Sequence, residues 1–372
     1  MSKKILFTGY YGFNNFGDDL FGLACVNGLM NSGSDYLPVL LSPPVNNIDA
    51  KFLVPGFLSN LYKDKDFIGK FLRIFFMIYG CIKYREVVLS GGSVISSGGS
   101  YHMRLVQYYL VRLRVCRLSA IGISVGPFDC EKDRKQAKKL INSFRYLCVR
   151  DEASVKECES LGIGINVNLY NDLAGCAPLP SNAQISKIDR VMGVSLCRYE
   201  SVVGGNIEKE KLRNIAIFQG ICDFAIKHNF KVKILILNSN ELVGDLEISQ
   251  KLYDYVSGNG ISAELVEYFN PVESLDHISA CNIFFSVRLH GAISAYLLNI
   301  PFVLVEYHQK CKDFLDYIGF DKENRLVGST ADKDAVTNSL EKTFQEKKEC
   351  SVKPKEYIEK SNKIFRNSPW IV

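Results

Sequence analysis

Apolar and polar positions along the chain fall into two alternating textures. Residues 5–9 form a short apolar run rich in β-formers, and a turn rich in glycine and asparagine separates it from a helical pattern over about 18–30. Further strand-like runs lie at 36–41, 86–89, 118–125, 146–149 and 165–170. Helix-period stretches such as 131–144 and 152–161 stand between several of them. Short apolar runs alternating with amphipathic helices predict parallel strands joined by helical crossovers.

The pattern breaks at Ala177-Pro178-Leu179-Pro180-Ser181-Asn182 and then restarts. Strands are expected at 190–196, 231–237, 261–268, 283–287 and 302–306, and helices at 208–228 and about 241–256. The expected fold class is therefore α/β, with two Rossmann-like domains facing a cleft. Residues 1–180 would form the first domain, 187–345 the second and 346–372 a helical tail. Ligands of such sheets bind beyond the carboxyl ends of the strands.

Composition changes this picture little. With 372 residues there is room for two domains, and 47% hydrophobic with 23% charged positions excludes disorder and fibrous repeats. The net charge of +5 suits an anionic small substrate or an acidic surface and does not point to nucleic acid. The 12 cysteines include no C-x-x-C pair and no zinc-ligand spacing, so they read as reduced thiols, with Cys25, Cys81, Cys116 and Cys148 in core-like runs. The apolar run at the N-terminus is too short for a signal-peptide core. The long apolar stretch at 67–84 is interrupted by Lys70, Arg73 and Lys83, so it is not expected to span a membrane. Two readings of it stand, a buried helix or a helix lying on a membrane surface. Arg104, Arg112, Arg114 and Arg117, interleaved with Tyr108 and Tyr109, would add a second basic stretch for anionic lipid, or simply belong to a helix packed on the sheet.

Candidate chemistry sits at the strand exits. The turn Tyr10-Tyr11-Gly12-Phe13-Asn14-Asn15-Phe16-Gly17-Asp18-Asp19 joins strand to helix. Its glycines permit close backbone approach, Asp18 is placed to cap the helix, and the helix N-terminus offers N–H groups. Gly91, Gly92 and Ser93, with the following 97–100 loop, form glycine-rich turns suited to a phosphate or a sugar. Neither a Walker A sequence nor a dinucleotide-binding glycine fingerprint is present. Arg288 and His290 follow the apolar run 283–285 and, two apart, would share one face of a strand. Arginine can clamp a carboxylate or phosphate, and histidine can move a proton near neutral pH. Arg198 is a second cation just beyond a strand. His102, His228 and His277 lack a partner pattern.

Taken together, residues 9–19, Gly91-Gly92-Ser93, the segment 122–127, Val149-Arg150-Asp151-Glu152-Ala153-Ser154 and the segment 286–295 resemble the polysaccharide pyruvyl transferase family. Tyr307-His308-Gln309-Lys310 follows at the family's usual spacing. The resemblance implies a GT-B-like fold and a ketal pyruvyltransferase. Such an enzyme moves the pyruvate unit of phosphoenolpyruvate, a co-substrate, onto a sugar of a surface polysaccharide or lipid-linked precursor and releases phosphate. It makes His290 and Arg288 the acid–base and donor-binding pair, with Arg198 and Lys310 as further donor contacts. Gly12, Asn14, Asn15, Asp18, Gly91, Gly92 and Ser93 are left for the acceptor or for loop geometry. Asp151 and Asp172 match family aspartates whose role does not follow from the sequence. No cofactor, metal or nucleic acid is expected. The location expected is cytoplasmic, with peripheral contact at the inner membrane face as an added reading. Serine at position 93 and aspartate at 19 depart from the family's usual glycine and glutamate. Two alternatives stay open: a GT-B nucleotide-sugar glycosyltransferase, and a non-catalytic glycan-binding protein.

Overall fold

A computed structural model describes residues 3–97, 100–180, 190–200, 205–240, 243–328, 331–346 and 350–371. The chain divides into two compact units. One holds residues 1–13, 18–178 and 357–372, the other 14–17 and 179–356. The expected break at 177–182 lies at this division, and residues 181 and 182 are outside the described set.

In the first unit, β1 (Lys3–Thr8), β2 (Tyr36–Leu40), β3 (Lys51–Phe52), β4 (Glu86–Ser90), β5 (Arg117–Ile123), β6 (Leu147–Val149) and β7 (Val167–Leu169) form one sheet. Its order is β3-β2-β1-β4-β5-β6-β7 and every pairing is parallel. β4 is buried along its whole length, as a central parallel strand covered on both faces must be. Helices α1 (Phe16–Met30), α2 (Ser59–Lys63), α3 (Phe67–Tyr84), α4 (Tyr101–Arg112), α5 (Glu131–Ile141) and α6 (Glu152–Leu161) make the crossovers. The step from β1 to β2 runs one way across the sheet, and the steps from β3 through β7 run the other way. Right-handed crossovers therefore put α3, α4, α5 and α6 on one face and α1 on the other. α3 packs on α4, α4 on α5 and α5 on α6.

The structure departs from two expectations. The long apolar stretch does form α3, but only one side of it is buried, through Phe76, Met77, Cys81 and Tyr84. Of the arginines that follow, Arg104 is not a surface cation. It is buried, bonded to Gln136 and Ser96 and paired with Asp133 at 3.0 Å, while Arg117 pairs with Glu86.

In the second unit, β8 (Val191–Ser195), β9 (Lys231–Leu235), β10 (Ala263–Val266), β11 (Ile283–Ser286), β12 (Phe302–Glu306) and β13 (Leu326–Val327) form a second parallel sheet in the order β10-β9-β8-β11-β12-β13. Its helices are α7 (Ile207–His228), α8 (Leu246–Gly258), α9 (Pro271–Ser279), α10 (Leu289–Leu297), α11 (Gln309–Tyr317) and α12 (Lys333–Glu346). His228 ends α7 paired with Glu341 at 2.8 Å, a structural role.

The tail contains α13 (Pro354–Arg366). It is not a separate piece, because its residues are divided between the units. Val352 N–H donates to Ile318 and its carbonyl accepts from Tyr296, both in the second unit. Phe365 packs on Gly28 and Phe7, and Trp370 meets Tyr146 edge-on at 6.0 Å, all in the first.

Candidate active site

β8, β11 and β12 are neighbours in the second sheet, and their carboxyl ends carry the charged residues that the sequence singled out. β11 stops at Ser286, one residue short of the expected strand. Arg288 is then the N-cap residue of α10, and His290 lies in that helix's first turn. The shared strand face predicted for the pair is therefore wrong, because the chain turns into a helix between them. The turn is held by side chains beneath it. Ser195 and Ser286 hydroxyls lie 2.7 Å apart, and Ser286 Oγ donates to the Arg288 carbonyl at 2.6 Å. Gly291 allows the close seating, since a Cβ there would come within 2.6 Å of Ser286 Oγ and 3.0 Å of Ser195 Oγ.

The Arg288 guanidinium grips Asp245 through two bonds, Nε to Oδ2 at 2.9 Å and Nη2 to Oδ1 at 2.5 Å. Asp245 is fully buried, whereas about a quarter of the Arg288 side chain (24%) is exposed. Burial pushes the Asp245 carboxyl above its usual range, opposed first by Arg288 and also by Arg198. Arg198 Nη1 donates to Glu247 at 2.6 Å. Two guanidiniums from adjacent strand ends thus flank one buried carboxylate. Beside them, burial pushes the Cys197 thiol up to about 11. Burial likewise raises Tyr307. Tyr199 meets Tyr307 at 4.8 Å and His308 at 5.6 Å between ring centroids. His308 caps α11 by accepting the Lys310 backbone N–H on Nδ1 at 3.1 Å. That contact places Lys310 in the first turn beyond β12.

His290 meets the opening motif. A Cβ on Gly17 would lie 2.3 Å from His290 Nδ1, so the imidazole rests against bare backbone. Residues 14–17 belong to this second unit and are tied to the exit of β9. Phe16 N–H donates to the Leu237 carbonyl at 2.8 Å, Ser239 N–H to the Asn14 carbonyl at 2.9 Å, and Asn15 bridges Asn238. Asn15 Oδ1 accepts the Gly17 N–H at 3.1 Å. Asp18 is not the helix cap: α1 begins two residues earlier, and Asp18 sits in its first turn.

The remaining candidates lie in the first unit. Gly12 and Gly91 follow β1 and β4, adjacent strands. Gly12 has φ +77° and donates its N–H to buried Asp19. Gly91 and Gly92 have φ of +71° and +74°. The Ser93 carbonyl accepts from Ser96. Gly98 and Gly99 of the second glycine-rich turn are outside the described residues. Asp151 caps α6 through the Ser154 N–H at 2.7 Å and accepts from Ser124 at 2.6 Å. Asp172 accepts the Ala174 N–H at 2.9 Å and pairs with Arg150 at 2.7 Å, both side chains nearly buried. These two aspartates are occupied by caps and pairs of their own unit.

Sequence reasoning missed Asp245 and the contact role of Gly17. A single acid at the head of a helix beyond a strand exit was the available signal for the first. Among the described residues, no group of three His, Cys, Asp or Glu side chains could hold a metal ion, and no helix is long and apolar enough to cross a membrane.

The family model described as polysaccharide pyruvyl transferase matches residues 15–309. The amylovoran biosynthesis protein AmsJ of Erwinia amylovora is 22% identical over 271 residues, 64% of this chain and 62% of the relative, so the match spans less than two thirds of that protein. Among solved structures, a UDP-GlcNAc 2-epimerase from Methanocaldococcus jannaschii superposes with a TM-score of 0.63 at 15% identity, over 99% of each chain. A putative UDP-N-acetylglucosamine 2-epimerase from Listeria monocytogenes gives 0.62 at 10% identity, over 98% of this chain and 93% of that one. At such identities the likeness shows a GT-B-like fold and nothing further.

Proposed function

Because the chain belongs to the polysaccharide pyruvyl transferase family, we propose that it transfers the pyruvate unit of phosphoenolpyruvate to a hydroxyl pair on a sugar of a surface-polysaccharide precursor. The observation that carries the reading is the pair of guanidiniums, Arg198 and Arg288, flanking buried Asp245 at adjacent strand ends. A donor with both a carboxylate and a phosphate needs two cations. Asp245 holds the Nε–Nη2 edge of Arg288 and so fixes the orientation of the rest of the fork.

The chemistry follows from the donor. His290 delivers a proton to the methylene carbon, which becomes the methyl group. The first sugar hydroxyl adds at the adjacent carbon and loses its proton. The carbon–oxygen bond to phosphate then breaks, and inorganic phosphate leaves with the bonding pair. The second hydroxyl adds at the same carbon and loses its proton, closing the ketal. Arg288, Arg198 and Lys310 offset charge on the carboxylate and the departing phosphate. No covalent enzyme intermediate is needed. The reading is of a cytoplasmic enzyme acting on a lipid-linked or nucleotide-linked sugar. Incubation with phosphoenolpyruvate and a panel of such sugars tests it. The expected result is a product carrying the added pyruvate ketal by mass spectrometry, with stoichiometric inorganic phosphate. Release of a nucleoside diphosphate from a sugar donor instead would favour a glycosyltransferase and overturn the proposal.

A further inference from the structure

The outer side of α3 is unusual for a surface helix. Phe67, Ile68, Phe71, Phe75, Tyr79 and Ile82 are all exposed, from 40% at Tyr79 to 83% at Phe67. From Ile68 to Ile82 they lie three and four apart, with Phe67 four before Phe71, and they form one stripe opposite the side that packs on the sheet. Phe71 stacks on Phe75, and Phe75 on Tyr79, so a ladder of aromatic rings stands in solvent. A contiguous apolar surface of this kind marks an interaction site.

Charge indicates what covers it. No Asp or Glu occurs between Phe67 and Tyr84. Lys70 and Lys83 are exposed beside the stripe, and Lys83 Nζ sits 2.7 Å from the Tyr79 hydroxyl. At the N-terminal end, Asp66 is occupied as the helix cap, bonded to the Gly69 N–H at 2.7 Å. Asp64 is exposed and is the one acid there not used as the cap. Arg73 is tied to the Tyr62 and Asp64 carbonyls. Further along the same helical layer, α4 and α5 enclose an open cavity of about 540 Å³. Arg112, Lys135, Lys138 and Lys139 line it with Tyr108, and no carboxylate does.

We propose that this layer docks on an anionic phospholipid bilayer, with the α3 stripe entering the headgroup boundary and the α4–α5 cavity taking a lipid phosphate. Aromatic and aliphatic side chains flanked by lysines are the composition of an interfacial helix, and clustered cations beside them add attraction to anionic lipid. A second copy of this chain fits less well, because a two-fold contact centred on α3 would draw the same cations of both copies together. The inference does not depend on the reaction proposed above, although it would bring a lipid-linked acceptor within reach.

Vesicle co-sedimentation of the full chain tests it, with phosphatidylglycerol-containing and pure phosphatidylcholine vesicles at low and high salt. Binding is expected on the anionic vesicles at low salt and should weaken about tenfold or more at high salt. Two paired variants at exposed positions, Phe71→Ser with Phe75→Ser and Lys135→Glu with Lys138→Glu, should each weaken it about tenfold or more. Thermal melts would check that both variants fold. No binding to anionic vesicles at low salt overturns the proposal, as does binding that neither pair weakens. Sedimentation velocity without lipid covers the rival occupant: a dimer that the phenylalanine variant dissolves, together with absent vesicle binding, would assign the stripe to self-association.

Discussion

The carboxyl ends of the two sheets carry similar residue types in different states. In the first unit, Arg150 and Asp172 neutralise one another with both side chains nearly buried, and Asp151 is a helix cap. In the second, Arg288 also meets a buried carboxylate, Asp245, but about a quarter of its side chain (24%) reaches the surface. Among the described residues, Arg198 beside it is bonded only through Nη1, to an exposed glutamate. An arginine sealed in a pair supports a loop. One held along a single edge, with the rest of the fork accessible, can receive an anion. Residue type and strand-end position do not separate the two cases; partner and exposure do.

The sharpest test falls on His290. Its replacement by alanine should lower turnover at saturating phosphoenolpyruvate by about 10²- to 10⁴-fold, the range of general acid–base catalysis, with donor KM little changed. Near-normal turnover would remove the proton-transfer role and leave the second unit no more catalytic than the first.

The arginines break the comparison in another way. Arg150→Ala strands buried Asp172 and should cost about 3–5 kcal/mol of stability, without altering the donor KM of the folded fraction. Arg288→Ala strands Asp245, which is fully buried, and should cost a similar amount, about 3–5 kcal/mol. It should raise donor KM as well. Arg198→Ala is the cleaner probe. Its surface pair with Glu247 is worth about 1 kcal/mol at most, so a large rise in donor KM would report binding alone. Thermal melts beside steady-state kinetics on phosphoenolpyruvate distinguish these outcomes. An equal donor KM in Arg198→Ala and the unsubstituted protein would sink the two-cation site.

Gly17→Ala probes the same centre from the opening motif. The added Cβ would meet His290 Nδ1 at 2.3 Å, so either the imidazole or the start of α1 must move. Displacing a catalytic group by about 1 Å can cost about 10²-fold in rate. A turnover drop of that order with an unchanged melting temperature is expected. If turnover holds, the imidazole is not where the chemistry occurs.

How far these features were legible depends on how local their causes are. Strand and helix identities came from periodicity, and β12 and α6 fall at the positions the pattern set, because short buried runs and capped amphipathic helices are locally determined. The Arg288–His290 spacing was visible, but its meaning turned on where β11 stops, and that is set by Ser286 and Gly291 seating against Ser195 of the neighbouring strand β8. Asp245 is 43 residues from Arg288 and belongs to no recognisable motif, so only folding makes it a partner. The pattern at 67–84 gave the right helix but not its exposed side, because both sides of α3 are apolar. Asp172 looked like the other strand-end acids until Arg150 appeared beside it.

The smallest expected effect concerns the glycine turn of the first unit. Gly91 and Gly92 both hold positive φ, which an alanine adopts at a cost of about 1–2 kcal/mol. They differ in what lies above them. A Cβ on Gly91 would come within 2.3 Å of the Phe21 ring, whereas one on Gly92 would meet nothing within 4 Å. Gly91→Ala should therefore destabilise by more than the backbone term, while Gly92→Ala should cost about 1 kcal/mol and leave the turn in place. The space above Gly92 is where a sugar could approach the backbone. If the turn serves the acceptor, Gly92→Ala should raise acceptor KM several-fold and leave the donor KM unchanged. An unchanged acceptor KM, with the small loss of stability intact, would make the turn purely structural and confine the recognised chemistry to the second unit.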